Sequence, residues 1–359
     1  MSALTQKIRF LRSHDGVRLA YSTSGQGSAV VKAATWLSHL EYDWESPVWR
    51  HVLQSLSARH QLLRYDERGC GLSDWQVDEL GFESWVRDLE AVVDATGLER
   101  FALLGISQGA SIAIAYAVRH PQRVTHLVLQ GGYARGRLVR NPTRQQAEEA
   151  EMMCRLAEIG WGRTDPSFRQ FFTTQFIPGG SPEQHAWFNE LERVSTSPAN
   201  AARFMREFNR IDVSALLPLV RCPTLVLHSR EDVRVPFEEG RLLAMNIPGA
   251  TLVPIDSRNH LLLEHEPGWA LARAAIEQFL PGPVAVPADG PLASLTPRLR
   301  ELLELVAQGR DNTQIAAVMG LSEKTVRNQV SILFDRLGVE SRSMAIVMAR
   351  ENGLGQNKP

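Results

Sequence analysis

Ser107 stands in Gly105-Ile106-Ser107-Gln108-Gly109, directly after the apolar run Phe101-Ala102-Leu103-Leu104 and before a helical pattern that reaches Arg119. A buried strand, a G-x-S-x-G turn and a helix are the setting in which a serine hydroxyl is held out above a sheet. The turn leaves no room for side chains beside the serine, hence the flanking glycines, and a helix N-terminus favours negative charge that develops there. The pentapeptide alone arises by chance in roughly one chain of this length in ten, so its placement between strand and helix carries the weight. A hydroxyl needs a base, and the base needs an orienting carboxylate. Two later loops supply both, in the order serine, acid, histidine. Asp232 follows the strand-like Thr224–His228, and His260 follows Thr251–Ile255. Glu231 and Asp256 are the nearest rivals for the acid, while His228 and His265 read as structural.

The elements around these residues must bring them to one edge. Strand-like runs occur at Ile8–Arg12, Val17–Ser22, Ala29–Ala33, Gln61–Tyr65, Phe101–Leu104, Val124–Leu129, Thr224–His228 and Thr251–Ile255, with helical stretches such as Phe82–Thr96 and Pro267–Phe279 between them. That alternation predicts a mostly parallel sheet covered on both faces, with its site at the carboxyl ends of the strands. From about 131 to 217 the strands vanish and an aromatic-rich helical insertion takes over, which either packs its own small core or roofs an apolar pocket.

Residues 1–280 resemble the α/β-hydrolase family. The resemblance rests on the elbow, on Asp232 before Val235-Pro236, on His260 before Glu264 and Pro267, and on Tyr65-Asp66-Glu67-Arg68-Gly69-Cys70-Gly71-Leu72-Ser73-Asp74, which is similar to the family's D-x-R-G-x-G-x-S segment. It implies an α/β-hydrolase fold with a helical cap. It also implies Ser107 as nucleophile, His260 as general base and Asp232 as its orienter, acting on ester or lactone bonds with no cofactor or metal. One departure bears on rate. Relatives have His-Gly after the third strand, where this chain reads Ala33-Ala34-Thr35-Trp36-Leu37. The Gln108 amide supplies one oxyanion donor. The second must come from an amide near Trp36 or Leu37, with the Trp36 ring partly filling the space above Ser107. Such a donor is worth roughly 3–4 kcal/mol in acyl transfer.

The last stretch is of another kind. Thr296-Pro297 marks a helix start, followed by the apolar rhythm Leu299, Leu302, Leu303, Val306. A short helix near Asn312–Met319, a Gly320-Leu321 turn and a third helix capped by Ser322 and running to about Leu337 form a helix-turn-helix pattern. A fourth helix follows near Ser343–Arg350. Lys324, Thr325, Arg327, Asn328 and Gln329 lie near the third helix's start, largely opposite its apolar face, with chemistry suited to phosphates and base edges. The tail resembles the LuxR/NarL-type helix-turn-helix through Leu295-Thr296-Pro297-Arg298, Ile315-Ala316, Leu321-Ser322, Lys324-Thr325-Val326-Arg327-Asn328 and Leu337-Gly338-Val339. Leu299 replaces the usual Glu and Gln329 the usual His.

Bulk properties frame these readings. The 359 residues suggest two domains, split by a Pro/Gly-rich linker at 281–294, with the helix-turn-helix domain at 295–359. A net charge of −1 confines any DNA contact to a local patch. Cys70, Cys154 and Cys222 match no metal or redox motif and fit a reducing cytoplasm. Neither a signal peptide nor a membrane span is expected, and the protein reads as cytoplasmic. Together the parts predict a transcription regulator that binds double-stranded DNA as a homodimer and senses a small ester, lactone or acyl ligand. The alternative is an active esterase or lactonase whose DNA-binding tail localises or autoregulates it.

Overall fold

Among the residues described in the computed structural model (4–281, 292, 295, 297–339 and 341–355), eight strands form one sheet. They are β1 (Gln6–Arg12), β2 (Arg18–Ser24), β3 (Ala29–Lys32), β4 (Gln61–Tyr65), β5 (Phe101–Ile106), β6 (Val124–Gln130), β7 (Thr224–Ser229) and β8 (Thr251–Ile255), ordered β1-β2-β4-β3-β5-β6-β7-β8. Each expected strand forms, its ends shifted by no more than two residues. β1, β2 and β4 pair antiparallel, and every pairing from β4 through β3 to β8 is parallel. A parallel strand covered on both faces must be apolar throughout, and all six residues of β5 are buried.

Parallel pairing sends the loops after β3, β4, β5, β7 and β8 to one edge of the sheet, which is where Trp36, Glu67, Ser107, Asp232 and His260 lie. The β7–β8 register is tied beyond the strands. Ser229 Oγ donates to the Asn259 carbonyl at 2.7 Å, and the Arg230 amide donates to the Ile255 carbonyl at 2.9 Å. The loops that carry Asp232 and His260 are thereby held against each other.

Between β6 and β7 run helices Arg144–Gly160, Ser167–Phe176, Pro182–Ser195 and Pro198–Phe208. Thr143 with Gln146, and Ser181 with Gln184, form reciprocal capping boxes that start the first and third of these. The aromatics of this insertion join the core beneath it. Trp161, Phe172, Phe188 and Phe204 are buried in one apolar core shared with the sheet domain, Phe204 stacking on Trp85 at 5.6 Å. Trp161, Phe176 and Phe208 also meet Trp36 with ring centroids 5.4, 6.1 and 5.3 Å away, roofing the sheet edge.

The chain divides into two units, Met1–Pro283 and Val284–Pro359, each with its own apolar core. In the second unit, helices Pro297–Ala307, Asn312–Met319, Glu323–Leu337 and Arg342–Glu351 bury Leu302, Val306, Ile315, Val326, Leu333 and Ala345. Asp311 and Gln314 cap the second helix reciprocally, and Gly320 takes a left-handed φ of 65° at the turn. The expected cap Thr296 and almost all of the 281–294 stretch lie outside the described residues. No helix among the described residues is long and apolar enough to cross a membrane.

Candidate active site

Ser107 has φ 53° and ψ −125°, a backbone conformation that a side-chain-bearing residue adopts only when its surroundings force it. The forcing is visible at both glycines. A Cβ on Gly105 would lie 2.6 Å from Ala110 Cα, and one on Gly109 would lie 2.8 Å from the Ala34 carbonyl oxygen. The strand-to-helix turn therefore closes only with glycine at both positions. Helix Gln108–Arg119 begins at the next residue. Its first amide has no carbonyl one turn earlier to donate to, so it is available to an oxygen above Ser107.

Asp232 and His260 meet as the loop positions predict. His260 Nδ1 lies 2.7 Å from Asp232 Oδ2, with both side chains buried. Asp232 Oδ1 accepts the amides of Arg234 at 2.8 Å and Val235 at 2.9 Å, which fixes the carboxylate's orientation. Burial alone would raise the Asp232 carboxyl. The charge and hydrogen bond of His260, with the Val235 amide, bring it below its ordinary value. Of the rivals, Glu231 and Asp256 are exposed, while His228 is buried, its Nε2 3.0 Å from the Val235 carbonyl oxygen and 3.8 Å from Asp232 Oδ2, farther than His260. His260 Nε2 is buried without a hydrogen-bond partner among the described residues. It borders a space of about 10 Å³ that Ser107 and Trp36 also line. Sequence reasoning missed how the cap holds this histidine. Its backbone amide donates to the Phe176 carbonyl at 2.9 Å, and Asn259 Oδ1 accepts the Gly179 amide at 2.8 Å.

The second oxyanion donor departs from expectation. The Trp36 amide already donates to Gln108 Oε1 at 3.1 Å, and Gln108 Nε2 donates to Glu67 Oε1 at 3.0 Å. Leu37 itself sits at φ 62°, a strained setting where the expected glycine is missing. Burial, reinforced by Asp88, pushes the Glu67 carboxyl well up, while the hydrogen bond from Gln108 works the other way. The D-x-R-G-x-G-x-S segment supports this loop from behind. Asp66 Oδ2 accepts the amides of Leu40 and Leu72, and Arg68 pairs with Asp88 at 2.6 Å and Asp15 at 2.7 Å.

A larger cavity of about 330 Å³ opens on the other side of Trp36 and Ser107, reaching Tyr133, Gln175 and Phe208. In the second unit, Lys324, Thr325, Arg327 and Asn328 are exposed on the first turns of helix Glu323–Leu337, while Gln329 is half-buried. Ser322 caps that helix by accepting the Thr325 amide at 3.2 Å, and Arg327 lies 3.3 Å from Glu323.

The comparisons agree with both halves. Residues 42–267 match the alpha/beta hydrolase fold family, and residues 293–349 match bacterial regulatory proteins of the luxR family. The chain is 28% identical over 218 residues to a putative carbamate hydrolase RutD of Azorhizobium caulinodans, covering 59% of this chain and 78% of that protein. It is 26% identical over 259 residues to the AB hydrolase superfamily protein YisY of Bacillus subtilis, covering 70% of this chain and 91% of that one. In fold it is similar to an esterase from Exiguobacterium antarcticum, with a TM-score of 0.64, 22% identity and coverage of 75% of this chain and 98% of that one. The chain belongs to the alpha/beta hydrolase family and carries, after that domain, a luxR-type helix-turn-helix domain of the bacterial regulatory proteins.

Proposed function

We propose that this protein is a DNA-binding transcription regulator whose hydrolase domain senses a small ester, lactone or acyl ligand and hydrolyses it slowly. The observation that carries the reading is the state of the second oxyanion donor. A pocket with a paired Asp232–His260 and a strained Ser107 has its Trp36 amide taken by Gln108. Missing one such donor lowers turnover by about a hundredfold to a thousandfold while leaving ligand binding largely intact. Slow turnover suits a receptor, because a bound effector must persist long enough to change DNA affinity. The luxR-type domain supplies the output, acting as a homodimer on paired half-sites.

A second reading keeps the chemistry as the main activity. In it the protein is a serine esterase or lactonase whose tail localises or autoregulates it. The retained Asp232–His260 pair favours this version, since a pure receptor has no need of an oriented base.

One experiment separates them. Full-length protein is labelled with a fluorophosphonate, whose adduct on Ser107 stands in for an acylated serine, with Ser107→Ala as control. Labelled and unlabelled protein are then footprinted on sites selected from a random duplex library. A discrete site whose affinity changes with the adduct supports the regulator. An unchanged affinity favours the tethered esterase, and the absence of any selected site would end the DNA-binding reading.

A further inference from the structure

The 330 Å³ cavity beside Ser107 is lined by three arginines, Arg137, Arg140 and Arg234, and by no aspartate or glutamate. Two of the three are answered elsewhere. Arg137 pairs with Glu149 at 2.6 Å, and Arg140 lies 3.7 Å from Glu239 while donating to the Arg135 carbonyl at 2.7 Å. Arg234 is different. Its guanidinium lies over the rings of Phe176 and Phe208, 5.3 and 5.2 Å from their centroids, and donates to Gln175 Oε1 at 3.2 Å. Among the described residues no carboxylate pairs with it. Burial lowers it to about 10, with Arg137 and Arg140 adding to the fall and Tyr133 and Asp232 opposing it. A half-buried guanidinium beside two like charges carries a cost that an anion would relieve.

Its position gives that cost a use. Arg234 lies two residues after Asp232, and its backbone amide is one of the two that orient the Asp232 carboxylate. The guanidinium and Ser107 line the same cavity, so a ligand of modest length reaches both. A guanidinium fork matches the two oxygens of a carboxylate better than it matches the single amide oxygen of Gln175.

We propose that the Ser107 cavity takes a ligand bearing a free carboxylate, held by Arg234, with its ester or lactone carbonyl at Ser107; this rests on the ligand-binding reading above. Tyr133 and Phe208 then bound the carbon chain between the two polar ends. Neutral esters of the same skeleton leave Arg234 unanswered and bind more weakly.

The test uses full-length Ser107→Ala protein, which cannot turn the probes over, and calorimetric titration with monomethyl glutarate, dimethyl glutarate and methyl phosphate. The monoester is expected to bind at least about tenfold more tightly than the diester, the scale of one charge-assisted contact. Adding Arg234→Gln abolishes that preference, and adding Arg234→Lys restores part of it. If Arg234→Gln does not fold, Arg234→Lys carries the test, and must weaken the monoester while leaving the diester unchanged. Equal affinity for the two esters, a preference that survives Arg234→Gln, no binding by a folded protein, or tighter binding of methyl phosphate would each overturn the assignment. DNA is absent from the measurement. Failure of the regulator reading therefore leaves a monoester preference standing, and loss of the preference leaves the footprinting result untouched.

Discussion

The side-chain oxygen of Gln108 accepts the backbone N–H of Trp36 at 3.1 Å, so the residue after the serine closes the donor that the loop after β3 offers. Gln108 thus has opposed effects on an oxygen above Ser107. Its own amide, first in the helix, faces the position where negative charge would develop. Its side chain withdraws the neighbouring amide, held in that role by Glu67 at 3.0 Å. Both effects belong to one residue, so substituting the side chain separates them.

Gln108→Ala keeps the Gln108 backbone amide and frees that of Trp36. We expect turnover of a simple aryl ester to rise by about tenfold, short of the full worth of an oxyanion donor because the freed amide is not fixed by any other partner. The rise should appear in kcat with KM little changed, as for a group that acts on the transition state. A fall in kcat, in a variant with wild-type melting, would mean that the side chain belongs to the donor set.

Asp232→Asn tests the pair behind the serine. The substitution keeps the shape but removes the charge that holds the His260 Nδ1 proton toward the loop. With the wrong tautomer the Nε2 lone pair is lost as a base, and the rate of fluorophosphonate labelling at Ser107 should fall by about a thousandfold to ten-thousandfold. Glu231→Gln and Asp256→Asn, on exposed side chains of the same two loops, should label at the wild-type rate. If either slows labelling as much as Asp232→Asn, the acid has been misassigned.

Much of this site was legible because its parts are local. The strand, elbow and helix around Ser107 are specified by apolar runs and two glycines, and the Asp232 and His260 loops by the strands before them. Chain order alone brings these to one edge in a parallel sheet. Arg234 was not legible, although it stands two residues from Asp232. Nothing in its neighbours' identities shows that Phe176 and Phe208, from a distant insertion, enclose it. The Gln108–Trp36 bond was hidden for the same reason. A missing glycine after β3 told that the second donor was compromised, but the partner that takes it depends on a side-chain rotamer.

Glu192 predicts a pH dependence of stability. It is fully buried in the cap, where Thr173 Oγ1 donates to its Oε1 at 3.3 Å and its Oε2 lacks a partner among the described residues. Burial pushes its carboxyl well above the ordinary value. The folded state therefore holds a proton that the unfolded state releases. Its contribution is complete below the unfolded carboxyl range, near pH 4.3, and is lost as pH rises through the folded value. Glu192→Gln keeps the shape without the titration. Its melting temperature should match wild type at about pH 4 and exceed it by about 2–4 °C at about pH 8, the shift that roughly 1 kcal/mol produces in a domain of comparable size. Parallel melting curves across that range would show that Glu192 stays charged in the folded protein.

The second unit makes the last prediction. Lys324 and Arg327 are exposed near the start of helix Glu323–Leu337, whose inner face is buried through Val326, Val330 and Leu333. If that helix enters a major groove, Arg327 must leave its 3.3 Å contact with Glu323, an exposed i to i+4 pair worth about 0.3–0.5 kcal/mol. That cost is small beside a bidentate contact to a base, about 1–3 kcal/mol. Arg327→Ala should therefore weaken binding to a selected site by about fivefold to a hundredfold, the equivalent of about 1–3 kcal/mol. For Lys324 a phosphate contact is expected instead. Lys324→Ala should lower affinity evenly across sequences and reduce the slope of log affinity against log salt by about one. Fluorescence anisotropy over a salt series reads both quantities. Unchanged affinity in both variants would place the DNA contact on another face of the domain.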